Sequence, residues 1–206
     1  MKKMYKAMAL VLCAVLLVAG SVMGTLAYLQ SQTKSITNVM TVGNVQITLS
    51  ESKVNEYGAA QGDDKIISTA TGVTGEQNTY KLIPGHTYTK DPKITVTAKS
   101  EACYVFVKVV NGIKEIEDAS NTIEKQITTT YGWTELDGVA NVYYKSVGAL
   151  ENDEDYEVFK NFTVKSDLNH DALDDYKDAT IEITAYAVQQ DGFNSAKDAW
   201  VAAQFS

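Results

Sequence analysis

The sequence has 206 residues and a formal net charge of −8, and its cations are lysines without a single arginine. The length fits one domain. Nucleic-acid binders need clustered cations for phosphates and usually arginine for base edges, so the composition argues against that class. An acidic surface whose only cations are lysines suits a protein that works outside the cell.

The first 27 residues predict a secretory signal. Three lysines stand within the first six residues, and residues 7–27 are uncharged and end in small side chains. A cut between Ala27 and Tyr28 would place small residues where a signal peptidase reads them. The alternative is an uncleaved membrane anchor, because a bilayer span needs only about 20 apolar residues. The small residues at the end of the segment favour cleavage, and we expect contact with the membrane only through the uncleaved signal.

The two cysteines predict no internal disulfide. Cys13 lies inside the export segment, so the mature chain keeps only Cys103. Cys103 stands in an apolar run, and we interpret it as a small buried core residue.

The mature chain begins with a polar stretch, residues 28–38, that lacks periodicity and predicts an N-terminal arm. Alternation of apolar and polar residues starts at Val39, which predicts a first strand and a domain over residues 39–206. The apolar residues predicted to face inward are even-numbered before Gly43 and odd-numbered after it, which indicates a bulge or bend at this glycine. Residues 51–78 are rich in small polar residues and predict either a long loop or a loose hairpin.

The central part of the chain predicts short strands. Pro84-Gly85 is typical of a tight turn. Residues 94–98 alternate, and residues 103–110 are β-branched and aromatic on both faces, which is typical of a central buried strand. A short helix is predicted within residues 113–127, and a hairpin within residues 133–144, with its turn at Asp137-Gly138.

The last third predicts two more strands and one helix. Residues 156–164 and 180–189 alternate, and Ser195 precedes an alanine-rich amphipathic stretch that ends near Phe205. A serine at this place is typical of a helix N-cap. Many short strands with turn signals between them predict an all-β, antiparallel β-sandwich with a short C-terminal helix.

Catalytic motifs are missing from the sequence. It has no His-Glu-x-x-His and no Gly-x-Ser-x-Gly, so neither the zinc-protease pair nor a nucleophile elbow is present. The two histidines, His86 and His170, lie in a predicted turn and an acidic loop. We interpret both as solvated loop residues, and we expect no catalytic residue.

One acidic segment matches part of a calcium-loop template. The residues at positions 1, 3, 5, 9 and 12 of the template would be Asp167, Asn169, Asp171, Asp175 and Asp178. Ala172 replaces the glycine of position 6, and the bidentate glutamate of position 12 is an aspartate. Two interpretations stay open: a solvated acidic loop and a weak extracellular calcium site. No other cofactor is expected.

Four stretches together resemble the TasA/camelysin family of Gram-positive bacteria: residues 24–29, 37–49, 82–91 and 185–189. The resemblance implies a jelly-roll-like β-sandwich, secreted or held at the cell surface, whose signal is cut by a SipW-type signal peptidase. It also implies self-association into biofilm-matrix fibres, in which the N-terminal segment of one subunit completes the sheet of the next.

Two alternative functions accompany this hypothesis. Camelysin implies a surface metallo-endopeptidase, yet two histidines far apart in the sequence make a poor zinc site. The third hypothesis is a cell-wall or carbohydrate-binding module, whose candidate aromatic residues are Trp133, Tyr143, Tyr144 and Trp200.

Overall fold

The protein is built from antiparallel β-sheets with a few short helices, which confirms the all-β class. The computed structural model describes residues 44–69, 72–74 and 77–205. The strands within this part are β1 Ile47–Val54, β2 Ala60–Thr69, β3 Gly72–Thr74, β4 Thr87–Thr89, β5 Lys93–Val96, β6 Cys103–Asn111, β7 Thr134–Glu135, β8 Val142–Val147, β9 Glu154–Glu157, β10 Asn161–Thr163 and β11 Ile181–Gln189.

The strands form three sheets. The largest has five strands in the order β3-β2-β1-β5-β9, and a second has four in the order β11-β6-β8-β7. The short strands β4 and β10 form a pair of their own. Every ladder in these sheets is antiparallel.

β6 is the centre of the four-stranded sheet, as the sequence predicts. It pairs with β8 on one side and with the whole length of β11 on the other, from Ile181 opposite Asn111 to Gln189 opposite Cys103. Because successive side chains point to opposite faces of a strand, Val105 and Val107 enter the main core while Phe106 enters a second one. Cys103 is buried in the main core with a free thiol, which confirms its predicted place.

The main core joins the five-stranded and four-stranded sheets. Ile94 and Val96 of β5 and Val105 and Val107 of β6 have no exposed surface and belong to one apolar cluster. Phe162 of β10 is buried in the same cluster, so the small sheet also contributes to it. Fully burying a side chain of this size contributes roughly 1.5–3 kcal/mol, and this cluster is the principal source of stability.

The helices are short: a 3-10 turn Lys114–Ile116, α1 Ile123–Lys125 followed by a π-helical turn Gln126–Thr130, α2 His170–Asp174 and α3 Ala196–Ala202. The helix predicted within residues 113–127 is therefore broken into separate turns, and its apolar residues Ile116, Ile123 and Ile127 are buried. The predicted cap of the last helix is confirmed, since Ser195 Oγ accepts a hydrogen bond of 3.1 Å from Asp198 N.

The last helix covers the outer face of the four-stranded sheet. Trp200 packs edge-on against Phe106 of β6 and Tyr186 of β11, with ring centroids 5.2 and 5.3 Å apart. Ala199 beside it has no exposed surface. The sequence predicts that Trp200 seals the end of a sandwich; the structure places it on a sheet face instead.

The structure decides one open prediction and corrects another. Residues 51–78 form the hairpin rather than the long loop for much of their length, because β1 runs to Val54 and pairs with β2. The single strand predicted over residues 156–164 is two strands in different sheets, β9 and β10. Val158 and Phe159 lie between them and are both fully buried, and two successive buried residues break the alternation of one strand.

Candidate functional site

A cleft of about 1070 Å³ borders the five-stranded sheet. Its walls come from four places in the fold. Leu49 of β1 and Ile66 of β2 supply apolar surface from the five-stranded sheet, and Ile181 and Ile183 supply it from β11. The third wall is the segment 77–84, which precedes β4, and the fourth lies within residues 170–180, which contain α2. Concave, largely apolar sites of this size are where proteins usually bind partners.

One edge of β11 borders this cleft. β11 pairs with β6 along one edge, and no described strand pairs with the other. The first four residues of the strand, 181–184, line the cleft. A strand edge without a neighbour presents main-chain donors and acceptors that a further strand can use. The cleft therefore combines an open edge with apolar walls.

The segment 77–84 has no strand partner of its own, and side chains hold it in place. Tyr88 Oη accepts a hydrogen bond of 2.8 Å from Ile83 N, and Tyr80 Oη donates one of 3.1 Å to the Thr89 carbonyl. The rings of Tyr80 and Phe162 meet edge to face with centroids 5.2 Å apart. The predicted turn that ends the segment is confirmed, because Gly85 adopts a φ of +73°.

Asn78 connects this segment to β1. Its Nδ2 donates to Glu51 Oε1 and to the Ser52 carbonyl, each at 2.9 Å. Its Oδ1 accepts a hydrogen bond of 3.0 Å from Val54 N. The carboxamide thus bonds to three consecutive parts of the strand, and every polar atom of the side chain is occupied.

Glu51 also pairs with Lys90, the residue that follows β4. Lys90 Nζ lies 2.7 Å from Glu51 Oε2, and the two side chains are 8% and 16% exposed. Lysine is almost never buried unless it is paired. Removing one partner of a buried pair costs about 3–5 kcal/mol, because the other charge is left uncompensated.

The surroundings of this pair are weakly polar. Burial raises the pKa of Tyr80, and the nearby carboxylates of Glu51 and Asp91 raise it further. The Tyr80 hydroxyl therefore stays protonated at physiological pH. Asp91 is held in turn by Ser52, whose N and Oγ donate to its carboxylate at 2.8 and 2.7 Å.

The segment predicted as a calcium loop contains the short helix α2. Asn169 Oδ1 accepts a hydrogen bond of 2.9 Å from Ala172 N and so caps α2, while Asp171 lies in the helix and Asp175 ends it. Asp167 precedes this helix and Asp178 follows it. Within the described ranges, no three side chains of His, Cys, Asp or Glu are grouped so as to hold a metal ion. Calcium binding here stays a prediction, and it would have to accommodate the helix.

The two histidines and Cys103 have separate structural environments. His86 Nε2 donates to the Tyr57 carbonyl at 2.9 Å, and His170 is exposed at the start of α2, on the rim of the cleft. Burial raises the pKa of the Cys103 thiol to about 11, so little thiolate exists at neutral pH. This environment disfavours Cys103 as a nucleophile.

Three of the four candidate carbohydrate-binding aromatics are core residues. Trp133, Tyr143 and Trp200 are buried, and Trp133 Nε1 donates to the Glu157 carbonyl at 2.8 Å. Tyr144 is half-buried and packs near Phe106. A stacking platform for sugars needs exposed rings, and these side chains do not form one.

The predicted signal peptide (residues 1–27), the cleavage point at Ala27 and Tyr28 and the arm (residues 28–38) lie outside the described residues. Among the helices that are described, none has the length and apolar character needed to cross a bilayer. The fold and the cleft define an all-β protein in which no described strand pairs with one edge of β11, beside a largely apolar cavity. No protein-family model, curated protein or solved structure matches the chain.

Sequence reasoning did not find the cluster of Glu51, Asn78 and Lys90. Glu51 and Asn78 are 27 residues apart and Glu51 and Lys90 are 39 apart, so no local pattern connects them. The only sequence signal was indirect, because Lys90 falls within one of the stretches, residues 82–91, that resemble the family.

Proposed function

We propose that this chain is a secreted structural protein of the cell surface or biofilm matrix of a Gram-positive bacterium. Its signal, residues 1–27, is removed by a SipW-type peptidase, and its sheets belong to a jelly-roll-like sandwich. Subunits assemble into fibres when the N-terminal arm of one subunit adds a strand to the sheet of the next.

The observation that carries this proposal is the open edge of β11 beside the apolar cleft. Added strands gain affinity from main-chain hydrogen bonds and specificity from pockets for alternate side chains. The edge of β11 offers the first, and the cleft walls at Leu49, Ile66 and Ile183 offer the second.

The arm has the length and the sequence that this role requires. A strand rises about 3.3 Å per residue, so residues 28–38 extend over about 36 Å, whereas the nine residues of β11 extend over about 30 Å. The arm is followed by the apolar residues Val39, Met40 and Val42, which can fill the cleft. Before the signal is cut, the arm is tethered to the export segment, so cleavage acts as the trigger for assembly.

The first experiment compares the secreted chain with a form that lacks residues 28–38, by sedimentation and electron microscopy. We expect fibres from the complete mature chain and monomers from the shortened one. Equal polymerisation of the two forms would contradict the proposal.

A matched pair of substitutions tests the acceptor. Ile183 lines the cleft and packs against the main core, while Val110 of β6 does not line the cleft and is 41% exposed. Ile183→Lys should abolish fibres, and Val110→Lys should leave them unchanged. Circular dichroism establishes that each variant is folded. Chelator-sensitive cleavage of casein by the purified protein would instead favour the endopeptidase hypothesis.

A further inference from the structure

Three side chains with complementary chemistry meet in the wall of the cleft: an amine, a carboxamide and a carboxylate. Glu51 lies on β1, Asn78 in the segment 77–84, and Lys90 directly after β4. All three line the same cavity. Lys90 is 7% exposed, which is unusual for a lysine and calls for a specific role.

The Glu51 carboxylate holds the other two groups side by side. Its Oε2 lies 2.7 Å from Lys90 Nζ, and its Oε1 accepts a hydrogen bond of 2.9 Å from Asn78 Nδ2. Because these are the two oxygens of one carboxylate, the amine and the carboxamide are neighbours. Holding two reacting groups in this way replaces a slow bimolecular encounter with a unimolecular step.

We propose that Lys90 and Asn78 form an intramolecular isopeptide bond, with Glu51 as the proton carrier. The Glu51 carboxylate takes a proton from the Lys90 ammonium, and the neutral amine attacks Asn78 Cγ. A bond forms between Lys90 Nζ and Asn78 Cγ, and the bond between Cγ and Nδ2 breaks. Glu51 passes its proton to the leaving nitrogen and takes the second proton from the attacking nitrogen, and one ammonia molecule departs without any oxidant or reductant.

The environment of Asn78 favours attack on its carboxamide carbon. Attack on Cγ moves negative charge onto Asn78 Oδ1, and Val54 N already donates a hydrogen bond of 3.0 Å to that oxygen. A backbone donor aimed at the oxygen that becomes charged is how acyl-transfer sites stabilise their intermediates. Val54 is itself buried, so water does not compete for this hydrogen bond.

Two aromatic side chains lie beside the site. Tyr80 and Phe162 pack edge to face beside the site, and the Tyr80 hydroxyl is engaged with the Thr89 carbonyl.

The bond would fasten a cleft wall that lacks strand pairing. It ties residue 78 to residue 90 and so closes a covalent loop around the Pro84-Gly85 turn and β4. The wall formed by residues 77–84 would then keep its shape when a strand enters the cleft or when a fibre is pulled. The cross-link does not depend on fibre formation, so the two proposals fail separately.

The test is the intact mass of the full chain after expression, compared with the mass of its sequence counted from its observed N-terminus. We expect the protein to be lighter by one ammonia molecule. Peptide mapping should then recover a branched peptide in which residue 78 is joined to residue 90, with no cleavage by trypsin at Lys90. A mass equal to that of the sequence would overturn the proposal, as would a mass loss located elsewhere, such as a succinimide at Asn111-Gly112.

Three variants assign the roles. Lys90→Arg keeps the ion pair with Glu51 but cannot form the bond, and Glu51→Gln removes the proton carrier, so both should show the full sequence mass. Lys93→Arg is the matched control, because Lys93 is three residues away and pairs with Asp155 on the surface at 2.6 Å. It should keep the mass deficit. A deficit that persists in Lys90→Arg overturns the proposal, and the wild-type peptide map decides the matter if a variant does not fold.

Discussion

The packing of α3 on the outer sheet face predicts a large difference between two neighbouring residues of one helix. Trp200 is 6% exposed and its ring meets those of Phe106, Tyr186 and Phe205 at centroid distances of 5.2 to 5.3 Å, whereas Val201 is 65% exposed. Replacing a buried tryptophan by alanine costs about 3–5 kcal/mol. An exposed substitution usually changes stability by no more than about 0.5 kcal/mol.

The assay is thermal denaturation of the two variants Trp200→Ala and Val201→Ala, followed by circular dichroism. For a chain of this size, about 3–5 kcal/mol corresponds to a fall in melting temperature of roughly 6–20 °C. We expect this fall for Trp200→Ala and almost none for Val201→Ala. Equal, small effects of the two substitutions would refute the packing of this helix against the sheet.

Three further predictions concern the cap, one tight approach of the backbone, and the thiol. Ser195→Ala should cost about 1 kcal/mol in urea denaturation, because the helix loses its N-cap. Gly58→Ala should cost more than Gly62→Ala: both have positive φ, but a Cβ at Gly58 would lie 2.7 Å from Tyr88 Cα, while the one at Gly62 meets open space. In the form of the protein that begins at residue 28, alkylation of Cys103 at pH 8 should be far slower in the folded state than in denaturant, because the thiol is buried and its pKa is raised. Equal rates would contradict the buried environment.

The sequence predicted two kinds of strand well. One kind has an apolar face and a polar face, and the other has two apolar faces. The first half of β11 alternates because Ile181 and Ile183 face the core, and β6 is mostly apolar because its two faces are covered by different apolar clusters. These patterns follow directly from the alternation of side chains along a strand. The Pro-Gly turn was equally predictable, because its glycine must adopt a positive φ.

The strands that the sequence did not resolve lack that difference between faces. β2 is mostly exposed, and Ile66 is its one buried residue, so its composition resembles that of a loop. β9 and β10 are separated only by Val158, Phe159 and Lys160, which is too short an interruption for periodicity to detect. A change of sheet depends on tertiary pairing, and a local pattern does not contain that information.

The candidate site was less predictable than the fold. The cleft is formed by residues from β1, β2, β11 and an irregular segment, which come together only after the sheets have formed. The acidic residues after Asp167 attracted attention as a calcium loop because their spacing is local, whereas the cluster of Glu51, Asn78 and Lys90 is entirely long-range. Buried polar groups in such clusters are recognised by their partners and burial rather than by spacing.

The central claim, that the N-terminal segment of one subunit pairs with β11 of another, is tested most directly by a binding measurement. A synthetic peptide of residues 28–43 is titrated into the chain that lacks this segment, by isothermal calorimetry, with folding of the protein verified beforehand. We predict binding of one peptide per chain, lost in Ile183→Lys and kept in Val110→Lys, because Val110 is exposed and does not line the cleft. No binding to the folded wild-type acceptor, or equal binding to both variants, would contradict the account.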